Sequence, residues 1–200
     1  MRQSLLVTLL AAGAWATPPT QPVLRAELLI LRDTDQASRQ ALFGHDPAGE
    51  WGELVSRFDA RNAARLREIL DQQGWPTADQ VGEDGAEAAW ILALHLASDA
   101  PLMQRCLTLL ESAVKRGVAP PEHLARLTDK VLLQQGKPQR YGSQLDFLPD
   151  GGTTPAAPIE APELLESRRR ALKLVPYPAY LKQRRQGYDE LARAALRSKP

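Results

Sequence analysis

The sequence predicts a mainly α-helical protein, a compact, bundle-like single domain with a loop-rich C-terminal arm. Apolar residues recur in several stretches at a spacing close to 3.6, which is the period of an α-helix. Short polar connections separate these stretches, and connections of this length favour antiparallel neighbouring helices. The chain has no convincing strand, no repeat and no coiled-coil heptad.

Residues 1–16 have the features of a secretory signal peptide. Arg2 supplies a positive start, residues 5–12 an apolar run, and the Ala-Trp-Ala triplet at 14–16 a cleavage site. The alternative is an ordinary buried first helix, but the helix-breaking Thr-Pro-Pro sequence at 17–19 argues against it. We therefore expect a secreted or periplasmic protein. No stable membrane insertion is expected after cleavage, because the run is shorter than the ~20 residues that span a bilayer.

Charge and cysteine content give further limits. The full sequence has 25 basic and 24 acidic residues, so removing Arg2 with the signal leaves 24 of each. This balance gives no reason to expect nucleic-acid binding. Cys106 is the only cysteine, so an internal disulfide is excluded. Its place on an apolar helix stripe favours a small buried side chain over a nucleophile.

The first two helices are predicted from regularly spaced apolar residues. Leucines at 24, 28 and 31 indicate a short helix over Gln21–Leu31, which we expect Asp33 and Asp35 to end. A longer helix starts at Trp51 and ends at Gly74, the usual residue type after a helix end.

Two polar residues of the second helix face its apolar side: Asn62 lies on the apolar stripe and Asp59 at the edge of it. Asn62 comes four residues after Phe58, and Asp59 comes four after Val55. Burying an unpaired amide or carboxylate costs about 1 to 3 kcal/mol or more, so each needs a partner in the protein or in a ligand.

The stretch 82–97, GEDGAEAAWILALHLA, is predicted to be the central helix, because it is apolar on every side after Ala86. Asp84 is expected to cap it. His95 lies inside this predicted helix, four residues before Asp99, whose carboxylate could fix the imidazole tautomer. A purely structural histidine would use the same pairing.

Two more helices and an arm follow. Thr77 to Gln80 has capping-box spacing, Asp99 opens a helix that stops at Gly117, and another runs from Pro121 to Gln135. Residues 137–146 indicate a formed loop, and 149–162 a linker or wrapping arm. Helix resumes after it, with arginines at 168–170 and 184–185 that form either a solvated face or an anion-binding patch. The predicted divisions are a signal peptide (1–16), an N-terminal helix and linker (17–50), a helical core (51–148) and a linker with C-terminal arm (149–200).

No strong catalytic motif occurs. The chain has only three histidines, so a zinc site would need carboxylates to complete it, and a metal site is not favoured. We predict no metal site and leave the cofactor unknown. Seven polar residues in apolar surroundings are the candidate site: Asp59, Asn62, His95, Asp129, Gln139, Tyr141 and Gln144. If they converge they form a polar pocket, and if they scatter each is a local hydrogen bond.

Several short blocks occur in a fixed order: D-x-x-N-x-x-R-L-x-x-I at 59–69, G-W-P at 74–76, V-G-x-x-G-A-x-A-A-W at 81–90, His95, L-T-D-K at 127–130 and G-K-P-Q-x-Y-G-S-Q at 136–144. Together they resemble bacterial proteins grouped as domain of unknown function 6624, over about residues 51–180. The chain departs from that pattern at Leu94, Lys130 and Ser143, where the family has glutamine, arginine and threonine. The resemblance implies a helical fold and a residue set, not a reaction.

Three functions remain open. The first is a pocket for a small-molecule or peptide ligand, formed by the seven residues. The second is a hydrolase or transferase in which His95 is the general base, Asp129 or Asp59 orients it, and Tyr141 or Gln144 stabilises developing charge. The third is a protein-interaction module, of the inhibitor type, that uses the arginine-rich C-terminal helices.

Overall fold

The computed structural model describes residues 18–42, 49–148 and 152–197, with side chains at all of these except 42, 147 and 188–197. Its elements follow in chain order: α1 Pro22–Leu42, α2 Glu50–Gln73, α3 Ala78–Leu94, α4 Ala100–Lys115, α5 Pro121–Gln134, β1 Leu145–Phe147, β2 Thr153–Pro155, a 3-10 turn Pro162–Leu164, α6 Leu165–Ala171 and α7 Tyr177–Arg197. The predicted fold class, a compact helical domain, is confirmed. The predicted signal peptide lies outside the described residues.

One hydrophobic core joins α1 to α5. Each helix contributes a leucine or methionine that is almost fully buried, namely Leu28, Leu66, Leu92, Met103 and Leu127. α3 packs against all four of the other helices. It is therefore the central helix that its apolar composition predicted, because only a helix surrounded by others can bury apolar residues on every side.

The prediction that Asp33 and Asp35 end the first helix is wrong, since α1 continues to Leu42. Asp33 is exposed, whereas Asp35 is only 1% exposed and lies on the stripe of Leu24 and Leu28. A carboxylate can occupy this inward position because charged partners surround it, as described below.

α3 begins with the predicted capping box, in which the Thr77 backbone N–H donates to Gln80 Oε1 at 3.0 Å. The box opens a short first turn, and Gly82, with φ of 74°, forms a kink between this turn and the rest of α3. The Asp84 carboxylate accepts from the Gly85 backbone N–H at 2.9 Å and also forms a two-pronged ion pair with Arg25. Asp84 thus ties α3 to α1, a role its sequence position did not indicate.

α3 ends at Leu94, so His95 lies at the C-terminal cap and not inside the helix. The predicted continuation to Ala97 is wrong. So is the predicted pairing of His95 with Asp99, because Asp99 belongs to the next helix. Its carboxylate caps α4 by accepting from the Leu102 N–H at 3.1 Å, and it pairs with Arg67.

The predicted stop glycines, Gly117 and Gly136, lie two residues after the ends of α4 and α5 and take positive φ values of 75° and 66°. Cys106 of α4 is fully buried, as predicted, and burial raises the pKa of its thiol to about 12. It behaves as a small apolar side chain.

The segment after α5 folds back along itself. β1 and β2 pair antiparallel, with Asp146 opposite Thr154, so the expectation of no strand is wrong here. Gln139 also pairs with the returning chain: its N–H donates to Pro158 O, and its carbonyl accepts from Glu160 N–H, each at 2.8 Å. The chain from 153 to 160 therefore lies along the loop that follows α5.

Arginines of α6 attach the arm to the loop after α5. Arg169 is 2% exposed and donates to the carbonyls of Tyr141 at 2.6 Å and Val175 at 3.0 Å. Arg168 donates to the carbonyl of Arg140 at 2.8 Å. Neither side chain is simply a solvated charge.

Among the helices that the structure describes, none combines the length and apolar character needed to span a membrane.

Candidate functional site

The predicted polar residues fall into two groups, apart from Asn62. The first, where α1, α2 and the end of α3 meet, consists of Asp59 and His95. The second, between α5 and the loop that follows it, consists of Asp129, Gln139, Tyr141 and Gln144. No hydrogen bond or ion pair joins these two groups.

Asp35 and Arg39 of α1 connect the members of the first group. His95 Nδ1 lies 2.7 Å from Asp35 Oδ2. Arg39 Nη2 lies 2.5 Å from Asp59 Oδ1 and 3.3 Å from Asp35 Oδ1, so one guanidinium bridges both carboxylates. Asp35, Arg39, Asp59 and His95 form a continuous ionic network, which we call the His95 cluster.

The ring proton of His95 is assigned to Nδ1 from its surroundings. Both Asp35 Oδ2 and Arg39 Nε, at 2.7 and 3.0 Å, face Nδ1, and a given tautomer can satisfy only one of them. An unprotonated Nδ1 would place its lone pair against the carboxylate. We therefore assign Nδ1–H as the donor to Asp35, with Arg39 Nε directed to the same carboxylate oxygen at 3.4 Å. In the neutral form of this tautomer, Nε2 is the nitrogen that can accept a hydrogen bond.

Burial and charge act differently on the two carboxyl groups. Burial is the largest influence on Asp35 and raises its pKa, but His95 and Arg39 together outweigh burial and hold that pKa below its usual value. For Asp59 burial prevails over Arg39 and, with the nearby Asp35 charge, raises the pKa. Neighbouring acids whose pKa values are pushed apart are typical of acid–base sites.

The cluster is open on one side. His95 Nε2 forms no hydrogen bond with any described residue, and the imidazole is 25% exposed. Arg39 and Asp59 also reach the surface, at 30% and 16% exposure. Asp35 lies beneath them as a buried support, so the three outer side chains are the ones that a ligand can touch.

Lys130 of α5 lies near the cluster without joining it. Burial, followed by the charge of Arg39, lowers the pKa of the Lys130 ammonium. An effect of Arg39 requires that the two cations are close. Lys130 forms no ion pair with a described residue, so its charge adds to the positive potential beside Arg39.

Asn62 follows Asp59 by one turn of α2 and is 5% exposed, so its predicted inward position is confirmed. Its Nδ2 is enclosed and has no acceptor among the described residues. A buried donor without a partner costs about 1 to 3 kcal/mol, so this amide is a site of unused hydrogen-bonding capacity.

Asp129 organises the loop of the second group. Its carboxylate is fully buried and accepts backbone N–H bonds from Arg140 at 2.7 Å, Tyr141 at 3.0 Å and Ser143 at 2.7 Å. Hydrogen bonds to a charged acceptor are about twice as strong as neutral ones. Asp129 therefore fixes the backbone of the loop from α5.

Gln139 and Gln144 complete this loop, while Tyr141 keeps a free hydroxyl. Gln139 Nε2 donates to the carbonyls of Gln144 and Ala157, each at 3.0 Å, and Gln144 Nε2 donates to Arg126 O at 3.0 Å. Tyr141 is half-buried, and burial raises the pKa of its phenol. Its hydroxyl has no hydrogen-bond partner in the described part of the chain.

Sequence reasoning missed Asp35 and Arg39, although a signal for both was present. Asp35 follows Leu24 and Leu28 at helical spacing, and Arg39 comes four residues later. The error was to interpret an acid on an apolar stripe as a helix end and not as a buried charge. Within the described ranges no group of three or more histidine, cysteine or acidic side chains is placed to hold a metal ion.

Comparison with known proteins gives one match. A family model described as a family of unknown function (DUF6624) matches residues 22–191, which include the whole His95 cluster and the Asp129 loop. Searches of the curated proteins and of the solved structures found no match. Because the match covers most of the chain, this protein belongs to the family of unknown function DUF6624.

Proposed function

We propose that this protein is an exported binding protein that holds a small polar molecule or peptide at the His95 cluster. The observation that carries the proposal is His95 Nε2, which has no hydrogen-bond partner among the described residues and belongs to a part-exposed ring held by Asp35 at 2.7 Å. A buried group that orients an outer one is how proteins preorganise a binding site.

The charges of the cluster favour a ligand with both a donor and an acceptor. Asp59 uses one carboxylate oxygen on Arg39, which leaves the other for an amine or hydroxyl. Arg39 and Lys130 favour a carbonyl or carboxylate on the same ligand. Amino acids and peptide ends carry this combination.

The remaining predicted residues have supporting roles in this proposal. Asp129, Gln139 and Gln144 hold the loop, and Tyr141 offers its phenol from that loop. Asn62, whose amide lacks an acceptor, is available to a ligand or water that enters beside Asp59.

A thermal-shift screen of amino acids, short peptides and polar metabolites tests the proposal. At least one compound is expected to raise the Tm saturably, and His95→Gln and Asp59→Asn are expected to lose that shift. Glu27→Gln is the matched control, because Glu27 also joins α1 to α2 through an ion pair, with Arg65 Nε 2.5 Å from Glu27 Oε1. A screen without hits, or a shift that survives in both cluster variants, refutes the proposal.

A second candidate, a hydrolase or transferase, is favoured by the contact between His95 and Asp35. An imidazole with Nδ1–H donated to a buried carboxylate can take a proton at Nε2, while the carboxylate stabilises the imidazolium that forms. Asp59, whose raised pKa favours its protonated form, would be the acid partner. Mass spectrometry of the stabilising compound after incubation separates the two functions: conversion by the wild type that is lost in Asp35→Asn supports the enzyme, and an unchanged compound supports binding alone.

Export is tested separately by N-terminal sequencing of the protein from a bacterial periplasmic fraction, where a first residue of Thr17 is expected. An intact Met1 would contradict cleavage.

The interaction-module function is weakened by Arg168 and Arg169, because the guanidinium groups of both donate hydrogen bonds to carbonyls of the same chain.

A further inference from the structure

A second concave site lies between α5, the loop at Ser143 and the C-terminal arm, and it shares no lining residue with the His95 cluster. The cavity has a volume of about 310 Å³. Trp90 forms part of its wall. Four basic side chains line it: Arg126, Arg169, Lys173 and Arg184. Glu122 is the acidic residue among the described lining residues, so positive charge is in excess.

Arg126 is the central observation. Its Nε is enclosed and has no partner, and its guanidinium makes no hydrogen bond or ion pair with any described residue. Its guanidinium lies over the Trp90 ring, whose centroid is 4.9 Å from Cζ. A charged side chain that is largely removed from water usually has a partner. The guanidinium of Arg126, half-buried at the wall of this cavity, is therefore available to an anion there.

The neighbouring cations add to the positive charge of the cavity. Lys173 and Arg184 also lack an ion pair in the described part of the chain. Burial is the main cause that lowers the pKa of Arg126; Arg184 acts in the same direction, and Tyr180 and Glu122 oppose it. Arg169 is already committed to two carbonyls, and it contributes charge and rigidity.

We propose that this cavity binds an oxyanion, a phosphate or carboxylate of a small organic molecule, with Arg126 as the main contact and with Lys173 and Arg184 closing over it from the arm. A planar guanidinium binds either oxyanion in a two-pronged manner. The cavity has room for about ten water-sized groups, which is more than a single oxyanion fills. Trp90 and Val175 supply apolar surface for the rest of the molecule.

Fluorescence titration with inorganic phosphate and with citrate, at ionic strength held constant with sodium chloride, tests the proposal on the full mature chain. Either anion is expected to change the emission of Trp90 saturably and to raise the Tm, and the emission change is expected to vanish in Trp90→Phe. A stronger effect of phosphate identifies a phosphate ester as the ligand class, and a stronger effect of citrate a carboxylate. An equal and non-saturable response to both anions and to chloride overturns the proposal.

Arg126→Met and Arg184→Gln locate the effect. Both are expected to weaken the apparent Kd about tenfold to a hundredfold, as the loss of a hydrogen bond to a charged group predicts. Arg105→Gln is the matched control, because Arg105 pairs with Asp71 on an exposed face of α4 and lies outside the cavity. Anion effects that are unchanged in both cavity variants overturn the proposal.

A stability measurement separates binding from a structural role of Arg126. In anion-free buffer, Arg126→Met is expected to be at least as stable as the wild type, since it removes a half-buried cation that has no ion pair among the described residues. A large loss of Tm in this buffer, without a change in anion affinity, would show that Arg126 serves packing on Trp90 instead. Arg184→Gln, on the outer arm, keeps the affinity test available if Arg126→Met fails to fold.

Discussion

His123 makes the stability of this protein depend on pH in a way that can be calculated. Its imidazole is 8% exposed and stacks on Trp90, with ring centroids 3.9 Å apart and planes within 5°. Burial, and then the charge of Arg126, lower its pKa from 6.5 to about 4. In the unfolded chain the same ring takes up a proton near its ordinary pKa.

The sign and size of this pH effect on stability follow from the linkage between proton binding and folding. Between pH 6.5 and 4 the unfolded state holds a proton on His123 that the folded state does not, so stability falls as the pH falls. The neutral ring's contribution is complete above pH 6.5. A difference of about 2.5 pKa units corresponds to about 3 kcal/mol lost by pH 4.

The assay is urea unfolding of the wild type and of His123→Phe at about pH 7.5 and about pH 4. Phenylalanine keeps an aromatic ring beside Trp90 but cannot take up a proton. Carboxyl groups titrate alike in both proteins, so their effects cancel in the difference. The wild type is expected to lose about 3 kcal/mol more than the variant over this range. Equal losses, or a ring pKa near 6.5 by NMR, would refute the reasoning.

Three further predictions concern the loop and the cluster. Asp129→Asn should lower the free energy of unfolding by about 3 kcal/mol or more, because an amide places a donor against backbone N–H groups, and urea unfolding measures this. Gly142→Ala should lower the Tm more than Gly136→Ala, since both have positive φ but only the new Cβ at 142 would lie 2.8 Å from the Tyr177 ring; equal losses by calorimetry would contradict this. Asp35→Asn should lower the Tm more than Glu27→Gln, because it leaves the charges of the cluster without their buried carboxylate; a smaller loss would contradict the role of Asp35 as support.

The helices were predictable because their signals are local. The spacing of apolar residues and the glycine stops located α2, α4 and α5, and the all-apolar composition of α3 indicated its central place. The resemblance blocks also named the right family. Each of these signals is read from neighbouring residues, and no knowledge of tertiary contacts is needed.

The His95 cluster was only half predictable for the same reason. Asp59 and His95 stood out as polar residues in apolar stretches, but their connecting partners lie on α1, far away in the sequence. Asp35 is compatible with a helix interior only because Arg39 supplies a positive charge there and His95 a hydrogen bond. A sequence rule that treats an acid as a helix breaker does not include these tertiary contacts.

The unpaired Arg126 was missed because nothing in its sequence differs from an exposed arginine. Its burial arises from Trp90 on α3 and from the arm that folds over α5, so it is a property of the tertiary structure. The short strands were missed because Gly and Pro residues surround them, and their pairing follows from the anchoring of Gln139 to the returning chain.

Native mass spectrometry of the protein purified from its natural host is the most direct test of a ligand at the His95 cluster. The wild type and Glu27→Gln are expected to carry the same additional small-molecule mass, and His95→Gln and Asp59→Asn are expected to lose it while remaining folded. An additional mass that is retained in both cluster variants, or a wild type that carries none and binds none of the screened compounds, would contradict the account.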